Sequence, residues 1–176
     1  MSFIPKVLSS GSILALLLVA GSATAQGTRL LSQPSISGTE VAFVYAGDIW
    51  VASKNGGAAR RITSTPAVEK NPHFSPDGST IAFSSDRTGV SQVYIVPAAG
   101  GDPKRLTSYP SPSQPRGWTP DGKSVIYASG RESAPTGYNR LWSVSSNGGP
   151  STVLPAPWAF DGKHSPDSKK MIIDRV

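Results

Sequence analysis

Apolar positions along this chain come in short runs, and each run is preceded by a polar corner built on Pro and Asp. "FSPDGSTIAF" at 74–83 returns as "WTPDGKSVIY" at 118–127 and as "HSPDSKKMII" at 164–173. Within one copy, "NPHFS" (71–75) reads as a first short strand. Pro76 presets φ for the second position of a type I turn, Asp77 follows, and Gly78 tolerates positive φ where the chain turns back. "TIAFSS" (80–85) is the second strand, "SQVYIVPA" (91–98) the third, Gly100-Gly101 a hairpin corner, and "PKRLTS" (103–108) the fourth. A strand with one wet face alternates strictly. "VAFVYA" (41–46) and "VYIV" (93–96) are apolar on both faces, as expected of sheets covered on both sides.

The same four-part plan recurs. "GDIWVASKNGGAARRITS" (47–64) lines up with "SQVYIVPAAGGDPKRLTS" (91–108) and "NRLWSVSSNGGPSTVLPA" (139–156). Trp50, Tyr94 and Trp142 share one position, 44 and 48 residues apart, and the pairs Gly56-Gly57, Gly100-Gly101 and Gly148-Gly149 share another. Arg61-Ile62-Thr63 and Arg105-Leu106-Thr107 share a third, relaxed to Val153-Leu154-Pro155. "ISGTEVAF" (36–43) is the corner motif with two turn residues missing. Four antiparallel strands at a period of about 40–50 residues is the plan of a propeller blade. The predicted fold is therefore all-β, an incomplete ring of four-stranded antiparallel blades. Blades are expected at about 30–70, 71–113 and 114–160, with the start of a fourth at 161–176. A blade cannot hide its faces alone, so the end faces are expected to drive self-association or to be covered by more polypeptide. Ser168 stands where the other corners carry glycine, so that corner is expected to be strained or reshaped.

Composition agrees with a turn-rich β protein: the 176 residues include 18 Gly and 16 Pro. Residues 1–25 read as a signal peptide. Lys6 supplies a positive start, Ile13–Ala20 an apolar core, and Ala23-Thr24-Ala25 a small-x-small cleavage site. Eight helical residues cover about 12 Å, well short of a hydrocarbon core of about 30 Å. The mature chain, 26–176, is thus expected to be periplasmic or secreted, with no membrane span. Cleavage removes Lys6 and takes the formal charge from +6 to about +5. The cations are scattered, in no run longer than Arg60-Arg61, Lys104-Arg105 or Lys169-Lys170, which argues against a nucleic-acid partner. With no cysteine there is no disulfide framework and no thiolate chemistry.

Candidate chemistry is sparse. Asp77, Asp121 and Asp167 recur at the blade period, which suits turn formation better than a single active site. His73 and His164 precede the corner in different copies, each with a single aspartate, Asp77 or Asp167, in the four residues that follow, a poor metal pattern. Arg60-Arg61 and Lys104-Arg105 open fourth strands. They read as edge protection, or else as charge presented to a peptide terminus or acidic substrate. No GxSxG, HExxH, GxxxxGK[ST] or GxGxxG motif occurs. The sequence therefore assigns no catalytic, cofactor-binding or metal residue, and no cofactor.

"FSPDGSTIAFSSD" and "WTPDGKSVIYASGRES" resemble the TolB-type propeller repeat. The ordered series "GDIW", "PHFSPDG…VYIVPAAGGDPKRLT" and "RGWTPDG…YNRLW" is similar to the amino-terminal propeller of tricorn protease homologues, from about Leu30 to Val176. That resemblance implies a serine peptidase with a six-bladed first propeller, of which this chain would carry about half, and with its catalytic serine and histidine in carboxy-terminal domains that this sequence does not match; the leader departs from a cytosolic tricorn and points to an exported homologue. Its propellers guide or filter peptide substrates. Expected partners are peptide or protein substrates, further blades, the peptidase domains and other copies of the chain. The alternative is a TolB-like exported propeller that binds proteins and performs no chemistry.

Overall fold

The computed structural model describes residues 31–133, 138–156, 159–165, 167 and 169–174. The leader expected at 1–25, its expected cleavage site, and the corner residues Pro166 and Ser168 lie outside them. Among the described residues every regular element is a strand. β1 (Ser32–Ile36), β2 (Glu40–Tyr45), β3 (Asp48–Ser53) and β4 (Arg60–Arg61) form one antiparallel sheet in chain order. β5 (Glu69–Phe74), β6 (Thr80–Ser85), β7 (Gln92–Pro97) and β8 (Lys104–Arg105) form the second. β9 (Ser113–Trp118), β10 (Ser124–Ser129), β11 (Arg140–Ser145) and β12 (Thr152–Val153) form the third. β13 (Asp161–His164) pairs with β14 (Met171–Asp174).

The sheets stack face to face as successive wedges. Ala42, Val44, Ile49 and Val51 of the first sheet meet Phe74, Ile81, Phe83, Tyr94 and Val96 of the second. The other face of the second sheet, Ala82 and Val93, meets Val125, Tyr127, Trp142 and Val144. Ile126, Ala128 and Leu141 then meet Ala159, Met171 and Ile173. Along β6 and β10, neighbouring side chains alternate between two different neighbour sheets, so both faces are dry. The two-faced reading of "VAFVYA" is corrected here. In β2 only Ala42 and Val44 are buried, while Val41 and Phe43 are half-buried. Among the described residues, the sheet they belong to has a neighbour on one side only.

Turn chemistry explains the joints. At the second sheet's corner the Gly78 N–H donates to Ser75 O at 2.9 Å, and Gly78 has φ +74°. A Cβ there would stand 3.2 Å from Ser37 Cβ of the first sheet, so glycine answers both the turn and the blade contact. The fourth strands are shorter than the sequence implies, two residues each. Just past them, Thr63 Oγ1 accepts from Ile49 N–H and Thr107 Oγ1 accepts from Val93 N–H, each at 2.9 Å. Pro155, at the matching place of the third copy, has no hydroxyl to offer. The first strands β1 and β5 are bulged where Gln33 and Asn71, each at φ +54°, precede a proline that cannot join a ladder.

Candidate functional site

Order within each sheet puts β1, β5, β9 and β13 at sheet edges, and these four first strands lie side by side in succession. They form the wall facing the propeller axis. Side chains stitch them together, because adjacent first strands do not share a ladder. Asn71 N–H donates to Gln33 Oε1 at 2.7 Å, and Phe74 N–H to Ser35 Oγ at 3.0 Å. Trp118 Nε1 donates to His73 O at 2.9 Å, and Arg116 Nε to Phe160 O at 2.9 Å.

Three successive first strands carry basic side chains, among them His73 of β5, Arg116 of β9 and Lys163 of β13; His73 feels the charge of the other two, and Asp161 of β13 acts on both His73 and Arg116. Burial, then the Lys163 ammonium and the Arg116 guanidinium, lower the His73 imidazole to about 4. Asp161 and a hydrogen bond with the Pro115 backbone push the other way. At neutral pH His73 is therefore an uncharged donor and acceptor. Burial also pulls Arg116 below its ordinary value, opposed by Asp161. Its Nη2 donates to Gln114 Oε1 at 3.1 Å, and its guanidinium carbon lies 4.7 Å from the Phe160 ring centroid. The wall is polar, with fixed positive charge.

The three repeated aspartates are occupied in their corners. Asp77 Oδ1 accepts from Ser75 Oγ at 2.5 Å and from Ser79 N–H at 3.1 Å, and Oδ2 from Ser79 Oγ at 2.8 Å. Thr119 Oγ1 and Lys123 N–H do the same for Asp121, and Ser165 Oγ and Lys169 N–H for Asp167. Asp77 and Asp121 flank one groove of about 300 Å3, with Trp118 and Ile95 on its wall. Neither histidine joins these carboxylates in a ligand set. Among the described residues no group of three or more His, Asp or Glu side chains is placed to hold a metal ion.

Hydrogen bonds from Ser75, first, and then Ser79 hold the Asp77 carboxyl down at about 2, and the Thr119 and Ser165 hydroxyls lower Asp121 and Asp167. The folded turn favours the ionised form. Its contribution is complete above the ordinary 3.8 and is lost as pH falls through about 2. The melting-temperature gap between the parent and Asp77→Ala should be constant from neutral pH to about 5 and close toward pH 2. A gap that persists or widens in acid contradicts this linkage.

The basic pairs do more than guard an edge. Arg60 Nη2 donates to Ala98 O of the next sheet at 3.1 Å and to Glu40 at 2.8 Å. Lys104 Nζ repeats the move one blade on, reaching Ser146 O at 3.2 Å and Asn147 O at 2.8 Å. Arg61 turns back to Asp48 at 2.6 Å. Arg60 and Lys104 are blade-to-blade ties rather than free charges awaiting a substrate.

Sequence reasoning missed Glu69 and Arg87. Glu69 is fully buried, and its Oε1 accepts from Arg87 Nη2 and from Thr65 Oγ1 at 3.0 Å. Arg87 also lies over the rings of Phe83 and Tyr94, at 5.6 and 4.6 Å. One signal was available: Arg87 and Arg131 follow the second strand in two copies. Arg131 lies 3.8 Å from the Tyr109 ring centroid and 3.5 Å from that of Trp142.

Comparison with known proteins places this geometry. Residues 28–176 match the family described as the tricorn protease N-terminal beta propeller domain. A tricorn protease homologue of Streptomyces coelicolor is 44% identical over 68 residues, 38% of this chain and 6% of the homologue. The structure superposes on TolB from Agrobacterium tumefaciens with a TM-score of 0.69 and 28% identity, over 80% of this chain and 52% of that one. It superposes on the tricorn protease, also at 0.69, with 25% identity over 77% of this chain and 14% of that one. The chain thus spans only part of each of these relatives. The stacked four-stranded sheets around one axial wall, with a family match over 149 of the 176 residues (28–176), carry one conclusion: the chain belongs to the tricorn protease N-terminal beta propeller domain family.

Proposed function

We propose that this chain is the first-propeller segment of an exported tricorn-like serine peptidase, placing or filtering peptides for proteolysis carried out by other domains of the polypeptide. The observation that carries the reading is the family match over 28–176, joined to an axial wall of polar and basic side chains that an extended peptide can follow. No catalytic group is assigned to the chain, so its part is positioning. The leader-like residues 1–25 and the likeness to TolB support a periplasmic location. Further blades, the peptidase domains and other copies of the chain are the partners this reading requires.

The likeness to TolB favours a second reading, a propeller that binds protein partners without chemistry. The coding sequence downstream of Val176 separates the two. A PDZ-like stretch followed by a serine peptidase domain is the expected result. A frame that closes after two or three more blades overturns the peptidase reading and leaves the binding module.

A further inference from the structure

The second and third sheets differ at one matching row. Glu69, Ser85 and Gln92 stand opposite one another across β5, β6 and β7, and Ser113, Ser129 and Arg140 do so across β9, β10 and β11. In the second sheet the Glu69 carboxylate accepts from Arg87. In the third, the short hydroxyl of Ser113 stands where that carboxylate would be, and Arg140 adds a second cation to the row. Ser113 and Ser129 are 0% and 1% exposed. Arg131 N–H donates to Ser129 Oγ at 3.4 Å, and its guanidinium carbon lies 3.5 Å from the Trp142 ring centroid. The guanidinium carbon of Arg140 lies 5.7 Å from the same ring, so two like charges border the serine pair.

Half-buried cations this close call for an anion. All 11 Asp and Glu side chains are among the described residues, yet none of the three salt bridges found there includes Arg131 or Arg140. Glu132, next to Arg131, is exposed, and it meets Arg140 through its backbone carbonyl, at 3.4 Å. The Tyr109 and Trp142 rings attract a cation with their faces but do not accept its in-plane N–H groups. Arg131 Nε, Arg140 Nε and the Ser113 hydroxyl are buried, and none has a hydrogen-bond partner among the described residues.

We propose that the Ser113–Ser129 pair, flanked by Arg131 and Arg140, binds one small oxyanion. It does at the contact of the second and third sheets what the Glu69 carboxylate does at the contact of the first and second. Guanidinium forks match the two-oxygen edge of a phosphate or carboxylate, which favours an oxyanion over a halide. Both sheets that form this contact are complete in the chain, so the site does not depend on further blades. It is independent of peptide placement: the anion is a structural ligand that joins two wedges.

Inorganic phosphate is the probe, compared with chloride at equal ionic strength and at millimolar concentration, where the general strengthening of burial by phosphate is small. The melting temperature of the chain should rise by about 3 °C for each tenfold increase in phosphate beyond half-saturation, and isothermal titration calorimetry should show one site. Ser113→Glu brings a carboxylate of its own to the row, as Glu69 does. It should melt above the parent in chloride and lose the phosphate response. Arg140→Gln keeps the test open if the longer side chain at 113 prevents folding: half-saturation should move up about tenfold. A parent that ignores phosphate, or answers chloride equally, overturns the proposal and leaves these donors to water. A phosphate response undiminished in a folded Ser113→Glu or Arg140→Gln variant overturns it as well, because the anion then binds elsewhere.

Discussion

Arg87→Ala should destabilise the chain by about 3–5 kcal/mol, read from the urea midpoint at constant m-value. The size follows from what the substitution leaves behind. Glu69 is fully buried, and its Oε2 already has no hydrogen-bond partner among the described residues. Removing the guanidinium leaves Thr65 Oγ1 at 3.0 Å and Ser85 Oγ at 3.5 Å as the remaining donors to a buried carboxylate. Stranding one member of a buried pair costs far more than the intact pair contributes. Arg87 also covers the Tyr94 and Phe83 rings, so packing is lost with the charge.

The third sheet supplies the comparison. Its counterpart of Glu69 is Ser113, paired across the strands with Ser129 as Glu69 is with Ser85. There Arg131 lies against Tyr109 and Trp142, with no carboxylate in its set of contacts among the described residues. Glu69→Ser should therefore lose less than Arg87→Ala, because it removes the buried anion and leaves a cation that aromatic rings can hold. Adding Thr65→Tyr, the residue at the Tyr109 position, should recover part of the loss. If Glu69→Ser proves as costly as Arg87→Ala, the buried anion is not what sets the penalty.

This pair also marks where reading the sequence stops. Strands, corners and blade period were legible because each depends on neighbours within a few residues: Pro76-Asp77-Gly78 makes its turn wherever it stands. The residue across from Ser85 depends on how the connection from β4 to β5 places Glu69, and no local pattern reports that. The axial wall is further out of reach. His73, Arg116 and Lys163 are more than 40 residues apart in sequence, and the two cations act on His73 only because successive first strands crowd the axis. The ties made by Arg60 and Lys104 escape a local reading for the same reason. Their partners are carbonyls of the next blade, at Ala98, Ser146 and Asn147. Even the apolar run at 41–46 reads alike whether its second face is covered or not. Local rules place the strands of a blade, while contacts between blades settle what its side chains do.

Phe83→Ala tests that division directly. Phe83 is fully buried between the first and second sheets, stacked on Tyr94 at 5.9 Å between centroids, with Arg87 above its ring. Truncation removes the ring and leaves a cavity that two sheets held in register cannot close, a loss of about 3–5 kcal/mol. Phe83→Leu keeps most of the volume and should cost under about 1.5 kcal/mol. Where the loss appears is more informative than its size. In a stack of wedges stability is roughly a sum of nearest-neighbour terms, so damage at one interface should loosen the sheets on either side of it first. Hydrogen exchange should accelerate most in β2, β3, β6 and β7 of Phe83→Ala, and least in β10 and β11. Ile126→Ala, at the interface of the third sheet with β13 and β14, should reverse that order, sparing β2 and β3. Uniform acceleration of all strands by both variants would show one undivided core, and the account of the molecule as separable wedges would then be wrong.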